Sequence, residues 1–142
     1  MTVASATPSL GRRLLCLVYE ALLLTAVILV AGGLATALAK IAGLNQPRIL
    51  TRMIVVIACA GYYAVQWLRR GQTLPMKTWR ISLETTAGGR ITPLQALMRM
   101  TLATIGYPVM GVTILWSFID RDRQFLHDRL SGTRLVTVAP PP

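Results

Sequence analysis

An apolar run over residues 14–38 constrains the fold of this chain more than any other feature. It exceeds the roughly 20 residues that an α-helix needs to cross a bilayer, and it follows Arg12 and Arg13. A second apolar run over residues 49–68 is also of spanning length, and two arginines follow it. The two runs predict an all-α membrane protein with two long transmembrane helices.

Charge supports this class and argues against a nucleic-acid-binding protein. Charged residues make up 14% of the chain, against about a quarter in soluble proteins, and the net charge is +10. Strong positive charge can indicate nucleic-acid binding. Here the basic residues flank the apolar runs, where the positive-inside bias and anionic lipid headgroups account for them. The expected partner is therefore a bilayer with anionic headgroups, and no nucleic acid.

The distribution of basic residues predicts the orientation. Most of them precede the first run or follow the second, which places the N-terminus in the cytoplasm. A cleavable signal peptide is disfavoured, because the first run is long for one and contains Glu20. Residues 1–11 are predicted to be a flexible N-terminus, residues 12–138 one membrane domain, and residues 139–142 a disordered tail.

The segment after the second run alternates apolar and polar residues over positions 79–84, which predicts a half-buried strand. Gly88-Gly89 supplies a turn, and residues 90–92 could form the return strand. A small surface β-hairpin between the second and third helical segments is one interpretation, and an irregular loop is the other. A further short strand is predicted near Val136.

The third helical segment is expected to begin at Pro93 with Thr92 as its cap. Gly106-Tyr107-Pro108 interrupts it, and the apolar stretch that follows is only about half a span. The segment is therefore either one kinked crossing or a re-entrant pair of helices. Four arginines in the tail favour re-entry, because a full crossing would place them outside, against the positive-inside rule.

Glu20 is the one charged residue within the first apolar run. Ionisable groups in membrane segments are costly and tend to be functional, which favours a proton or cation site. Glu20 also lies near the start of the run, where it could instead pair with Arg12, Arg13 or Arg99. The sequence leaves both interpretations open.

Three stretches give the chain a family resemblance. They are G-R-R-L-L at residues 11–15, G-Q-T-L-P-M-K-T-W-R-I at residues 71–81, and F-L-H-D-R-L-S-G-T at residues 125–133. With the acidic residue at position 20, they resemble the RDD family of bacterial membrane proteins over about residues 10–138. The late motif is the most specific of the three.

The resemblance implies an inner-membrane protein with a family motif of one arginine and two aspartates. The arginine corresponds to Arg12 or Arg13 and the last aspartate to Asp128, whereas Glu20 stands in the place of the first aspartate. We expect Asp128 to pair with the arginines of the first helix and hold the tail against the bundle. Local ordering of the turn at residues 131–133 is the alternative role of Asp128.

Other residues predict surface contacts rather than catalysis. Lys77 and Arg80, beside Trp79, are expected to contact lipid headgroups or, less simply, an anionic ligand. The chain has no nucleophile elbow, phosphate-binding loop or Cys–His pair at catalytic spacing, so it is not expected to be an enzyme. With one histidine and no C-x-x-C spacing, no metal site and no cofactor are predicted.

Two functions follow from these features. The first is a component of transport for an unidentified small ligand or ion, with Glu20 as its ionisable group. The second is a non-transporting membrane scaffold or assembly module that acts through a partner or through self-association. Two or three spans can hardly enclose a pathway, so both functions predict a homo-oligomer or a membrane-protein partner.

Overall fold

The computed structural model describes the chain over residues 7–44, 47–106, 112–121 and 124–138. Two helices dominate it, α1 (Leu10–Ile41) and α2 (Pro47–Arg70). Both are long and apolar enough to be candidate membrane spans, as the sequence predicts. Residues 1–6 of the predicted flexible N-terminus (1–11) and the predicted disordered tail 139–142 lie outside the described residues.

Helix α1 begins earlier than the sequence predicts, at Leu10 instead of residue 14. Ser9 is its N-cap, and the Ser9 hydroxyl accepts a hydrogen bond from the Arg12 N–H at 3.4 Å. A serine cap satisfies one of the free N–H groups at a helix start. Residues 10 and 11 are therefore helical rather than part of a flexible terminus, and Arg12 and Arg13 lie in the first turn.

Helices α1 and α2 pack against each other as an antiparallel pair. Small residues allow the close approach: Ala35 and Ala39 are buried, and a Cβ at Gly32 would lie 3.5 Å from Val55. Large apolar side chains on the outside of the pair, such as Leu29, are exposed. We call the end with the start of α1 and the end of α2 the sheet end, and the opposite end the loop end.

A small subdomain covers the sheet end. Its elements after α2 are the short helix α3 (Leu74–Thr78) and the strand β1 (Ile81–Thr85). The second strand, β2 (Thr133–Thr137), comes from the C-terminal segment and pairs antiparallel with β1. Because Ile81 and Leu83 on β1 are almost fully buried, the sheet presents one apolar face to the helices.

The predicted hairpin is wrong in its second strand. Residues 86–89 do form a turn, and Gly88 and Gly89 have the positive φ angles that such turns require. Residues 90–92 form no strand, and a helix starts directly after them at Pro93. The partner of β1 is instead β2, which includes the strand predicted near Val136. Pairing with β2 is favoured because this strand is longer than residues 90–92 and buries Leu135 and Val136.

The third helical segment is divided into α4 (Pro93–Gly106) and α5 (Val112–Ile119), followed by α6 (Leu126–Leu130). The start of α4 is as predicted: Thr92 and Gln95 cap each other, the hydroxyl accepting from the Gln95 N–H and the amide oxygen from the Thr92 N–H. The predicted break at Gly106-Tyr107-Pro108 falls at the edge of the described residues, because residues 107–111 lie outside them. Because α6 packs on α4 and β2 pairs with β1, the tail returns to the sheet end.

Candidate functional site

A partly open cavity of about 350 Å³ lies at the sheet end. Its walls come from α1, α2, α4 and the face of the sheet, and most of the wall atoms are apolar. Three charged side chains interrupt this apolar lining, namely Arg13, Glu20 and Arg99. Each of them is more than nine-tenths buried. Buried charges require compensating partners, so the contacts of these residues define the chemistry of the cavity.

Glu20 is held by a threonine from outside its own helix. The Thr73 hydroxyl donates to Glu20 Oε2 at 2.6 Å, and Thr73 is itself 1% exposed. The same hydroxyl accepts a long hydrogen bond from the Met76 N–H as the N-cap of α3. The Tyr62 hydroxyl also faces this carboxylate but makes no hydrogen bond of ordinary geometry to it. Thr73 thus connects α1 to the sheet subdomain through a buried, charge-assisted hydrogen bond.

Asp128 pairs with Arg99 of α4. Arg99 Nη1 donates to Asp128 Oδ1 and, at 3.0 Å, to the Thr133 hydroxyl, and all three residues are buried. The expectation that Asp128 would pair with the arginines of α1 is therefore corrected: its arginine comes from α4. The docking role is retained, since this ion pair fixes α6 and the start of β2 to α4.

Arg99 lies on the side of α4 that faces the interior of the protein. Ala96 and Arg99 are buried, whereas Leu94 and Leu97 are exposed. The amphipathic pattern of α4 is present but inverted relative to a soluble helix. Such an arrangement is expected where the outer surface contacts lipid and the polar groups meet each other inside.

His127, next to Asp128, is buried beneath the Arg99 ion pair at 2% exposure. Burial, followed by the positive charge of Arg99, lowers the pKa of His127 to about 2. Asp128 Oδ1 lies 3.5 Å from His127 Nε2, but Arg99 already neutralises that carboxylate. His127 is therefore a neutral part of the wall at ordinary pH.

The guanidinium groups of Arg13 and Arg99 each lie over an aromatic ring. The Arg13 guanidinium lies over the Phe125 ring at 4.8 Å, and that of Arg99 lies over the Trp67 ring at 5.3 Å. Trp67 also packs against Tyr63. In the sequence, Trp67 belongs to an aromatic group near the end of α2 that is typical of a membrane interface. In the structure the Trp67 side chain faces inward and is 7% exposed. Cation–π contacts help to hold a guanidinium away from water.

The structure brings together only some of the predicted site residues. Arg13 and Glu20 line the same cavity, and Asp128 lies behind Arg99. Arg12 is only partly buried and contributes its backbone N–H to the helix cap. The residues of the family motif therefore belong to a larger cluster of buried charged side chains and do not form a site by themselves.

Sequence reasoning did not assign Thr73 or Phe125 to the site, and it treated Arg99 only as an alternative partner for Glu20. Arg99 had a usable signal, since it is a charge on a helix otherwise rich in apolar residues. Thr73 and Phe125 both lie in the stretches that carry the family resemblance. Nothing in their local pattern indicates that they contact α1.

Lys77 and Arg80 lie outside the cavity. Both are exposed, and Arg80 has a positive φ of 54° where the chain turns into β1. Lys77 borders a surface groove together with basic residues from the end of α2 and from the turn after β1, which are Arg69, Arg70 and Arg90. These residues form a basic surface rather than a part of the charged cluster.

Two helices that are candidate membrane spans, closed at one end by a small domain with a charged cavity, are typical of a small helical membrane protein. The RDD family matches residues 7–132, which is most of the chain, and the protein belongs to the RDD family. No curated protein and no solved structure matches the chain.

Proposed function

We propose that this protein is a component of membrane transport, and that its cavity binds a small ligand or ion with Glu20 as the ionisable group. The observation that carries the proposal is the position of Glu20. Its carboxylate is 8% exposed, lines a partly open cavity, and lies on a helix long enough to span a bilayer. Buried ionisable groups on such helices are characteristic of ion and substrate pathways.

The proposed orientation places the sheet end in the cytoplasm. The exposed basic side chains of this end, with Lys77 and Arg80 among them, would then contact the anionic headgroups of the inner leaflet. In that orientation α4 and α5 form a re-entrant pair, because the tail returns to the sheet end. The membrane is the inner membrane of a bacterium, as the family resemblance implies.

A single chain does not form a closed pathway, since only α1 and α2 among the described elements are long enough to span. Transport therefore requires additional spans from a second copy or from a membrane-protein partner. The exposed apolar surface of both helices supplies the area for such an assembly. Crosslinking in native membranes tests this part of the proposal, and a monomer as the sole species contradicts it.

A flux measurement tests the proposal directly. Purified protein is reconstituted into liposomes, and proton and cation fluxes are compared for wild type and Glu20→Gln. Gln retains an oxygen that can accept from Thr73 but removes the charge, so the fold should persist while flux decreases at least about tenfold. Glu84→Gln is the matched control, because Glu84 is a partly exposed carboxylate of β1 outside the cavity.

The second candidate function is a non-transporting scaffold or assembly module. The observation in its favour is the same exposed apolar surface, which a partner could cover without any pathway. A folded protein that carries no flux for ions or for small ligands would support the scaffold. A flux equal in wild type and Glu20→Gln would retain transport and remove Glu20 from it.

A further inference from the structure

Glu20 Oε1 and Trp67 Nε1 are polar atoms of the cavity wall that have no hydrogen-bond partner among the residues that the structure describes. The first is an acceptor, and the hydrogen on the second is a donor. Both side chains are more than nine-tenths buried, at 8% and 7% exposure. Because an unsatisfied buried polar atom is costly, this pair of atoms favours a ligand that supplies one donor and one acceptor. A hydroxyl group supplies both at a single oxygen.

The charges around the cavity restrict the ligand further. Arg13 and Arg99 are positive, Glu20 and Asp128 are negative, and all four are buried. His127 adds no charge, because burial lowers its pKa to about 2. The described buried charges therefore balance, and a ligand with a net charge would leave an excess charge in a site of low dielectric constant. A neutral ligand keeps the balance.

The rest of the wall indicates an apolar body for the ligand. Along α1 the lining continues from Arg13 to Leu24, which is about 16 Å at the helical rise per residue. Along α4 it continues from Arg99 to Thr104. Both helices lead from the charged cluster toward the apolar part of the bundle, where the neighbouring Ile105 is exposed. The volume falls at the small end of the range for ligand pockets, about 300–1,000 Å³.

We infer that the cavity binds a neutral alcohol with a single apolar chain, which enters from the membrane. Its hydroxyl donates to Glu20 Oε1 and accepts from the Trp67 N–H, and its chain lies along Leu24 and Thr104. This inference rests on the proposed role of the cavity as a ligand site and names the chemical class of the ligand.

The test measures the fluorescence of Trp67 in phosphatidylcholine nanodiscs. The chain has three tryptophans, so Trp79→Phe and Trp116→Phe leave Trp67 as the only indole. The probes share one chain with a terminal bromine, which quenches an adjacent indole: 11-bromoundecanol, 11-bromoundecanoate and 11-bromoundecylammonium. We expect saturable quenching by the alcohol, with a Kd at least about tenfold below those of the charged probes. Equal or non-saturable quenching by all three overturns the inference.

Two pairs of variants locate the binding. Ala103→Phe fills the cavity and should abolish saturable quenching, whereas Ile105→Phe adds the same group on the exposed side of α4 and should leave it unchanged. Glu20→Gln gives the wall an excess positive charge, so the carboxylate probe should bind more tightly than to wild type. Glu84→Gln should leave the order of the probes unchanged. An unaltered order of the probes in Glu20→Gln contradicts the charge argument.

The source of the ligand and the proposed function are tested separately. Quenching by 11-bromoundecanol but not by water-soluble 6-bromohexanol supports entry from the membrane, and the reverse result overturns it. Saturable binding without ion flux keeps this inference and restricts transport to its small-ligand form. Ion flux without any saturable binding of the alcohol keeps the proposed function and overturns this inference.

Discussion

The two ends of the α1–α2 pair are built on opposite packing rules. At the loop end the buried residues are small, Ala35 and Ala39, while large side chains such as Ile41 face outward at 84% exposure. At the sheet end charged and polar side chains are buried, including Asp128 and Thr133 at 0% exposure. The loop end is thus a surface for an apolar environment, and the sheet end is a polar core enclosed by protein.

This difference implies a difference in tolerance to substitution. In a polar core each group satisfies another, so the loss of one side chain leaves a second one buried without its partner. At the loop end lipid can replace a missing methyl group, because its chains are as apolar as the side chain it contacts. Matched substitutions at the two ends should therefore differ in free energy of unfolding, and the pairs Leu83/Leu29 and Gly71/Gly33 measure that difference.

Loss of the buried ion pair should have the largest effect. Asp128→Ala leaves Arg99 buried without its carboxylate, which should lower the free energy of unfolding by about 3–5 kcal/mol in detergent micelles. Glu84→Ala is the control, since the partly exposed Glu84–Arg134 pair at 3.8 Å should contribute less than about 1 kcal/mol. Equal effects of the two substitutions would contradict the contrast between core and surface.

Truncation of a buried apolar side chain of the sheet should have the second-largest effect on the free energy of unfolding. Leu83→Ala removes a side chain that is 1% exposed, and the cavity it leaves should cost about 2–5 kcal/mol in thermal or denaturant unfolding. Leu29→Ala makes the same chemical change at a position that is 68% exposed on α1. Its effect should be close to zero. A large effect of Leu29→Ala would show that this face is covered by another chain rather than by detergent.

Backbone geometry gives a third comparison. Gly71 has a φ of +65°, and a Cβ there would lie 2.9 Å from the Leu83 carbonyl oxygen. Gly71→Ala should therefore cost about 1–3 kcal/mol, seen as a lower unfolding midpoint. Gly33→Ala meets nothing within 4 Å and lies within α1. It should leave the midpoint unchanged or raise it slightly, because alanine favours the helix.

Over a single pH unit, the pH dependence of stability should be the smallest effect. The folded protein keeps His127 neutral with a pKa of about 2, whereas the unfolded chain binds a proton below its ordinary value of 6.5. The unfolded state therefore binds more protons between these values, and stability is lost as the pH falls below 6.5. The loss should approach about 1.4 kcal/mol per pH unit. The variant His127→Gln should lack this contribution to the pH dependence. Identical slopes of the free energy of unfolding against pH in wild type and variant would contradict the prediction.

Much of the helical architecture follows from the sequence because its signals are local. Apolar runs predict α1 and α2, and Thr92-Pro93 predicts the start of α4. The strand β1 is also visible as an alternation of apolar and polar residues. Its partner is not, because strand pairing depends on which distant segment buries Leu135 and Val136. A local turn at Gly88-Gly89 therefore suggested a hairpin that does not form.

The residues of the candidate site also divide into those that the sequence indicates and those that it does not. Glu20 and Arg13 stand out in the sequence, since each is a charge at or within an apolar run. The pairing of Asp128 was assigned to the wrong helix, because the sequence shows which residues are charged but not which helices are adjacent. Arg99 pairs with Asp128 because α4 packs against α6. Thr73 could not be assigned to Glu20 without the three-dimensional position of α3.

The pairing of β1 with β2 has a consequence for biosynthesis. A ribosome makes α1, α2, β1 and α4 well before it makes Asp128 and the residues of β2. Until then Arg99 lacks the Asp128 carboxylate and β1 has no neighbouring strand, so the sheet end cannot enclose its polar groups. The spanning helices can enter the membrane early, but the cavity forms only after residues 133–137 have emerged. A chain interrupted before that point would contain both long helices and yet lack the closed cavity.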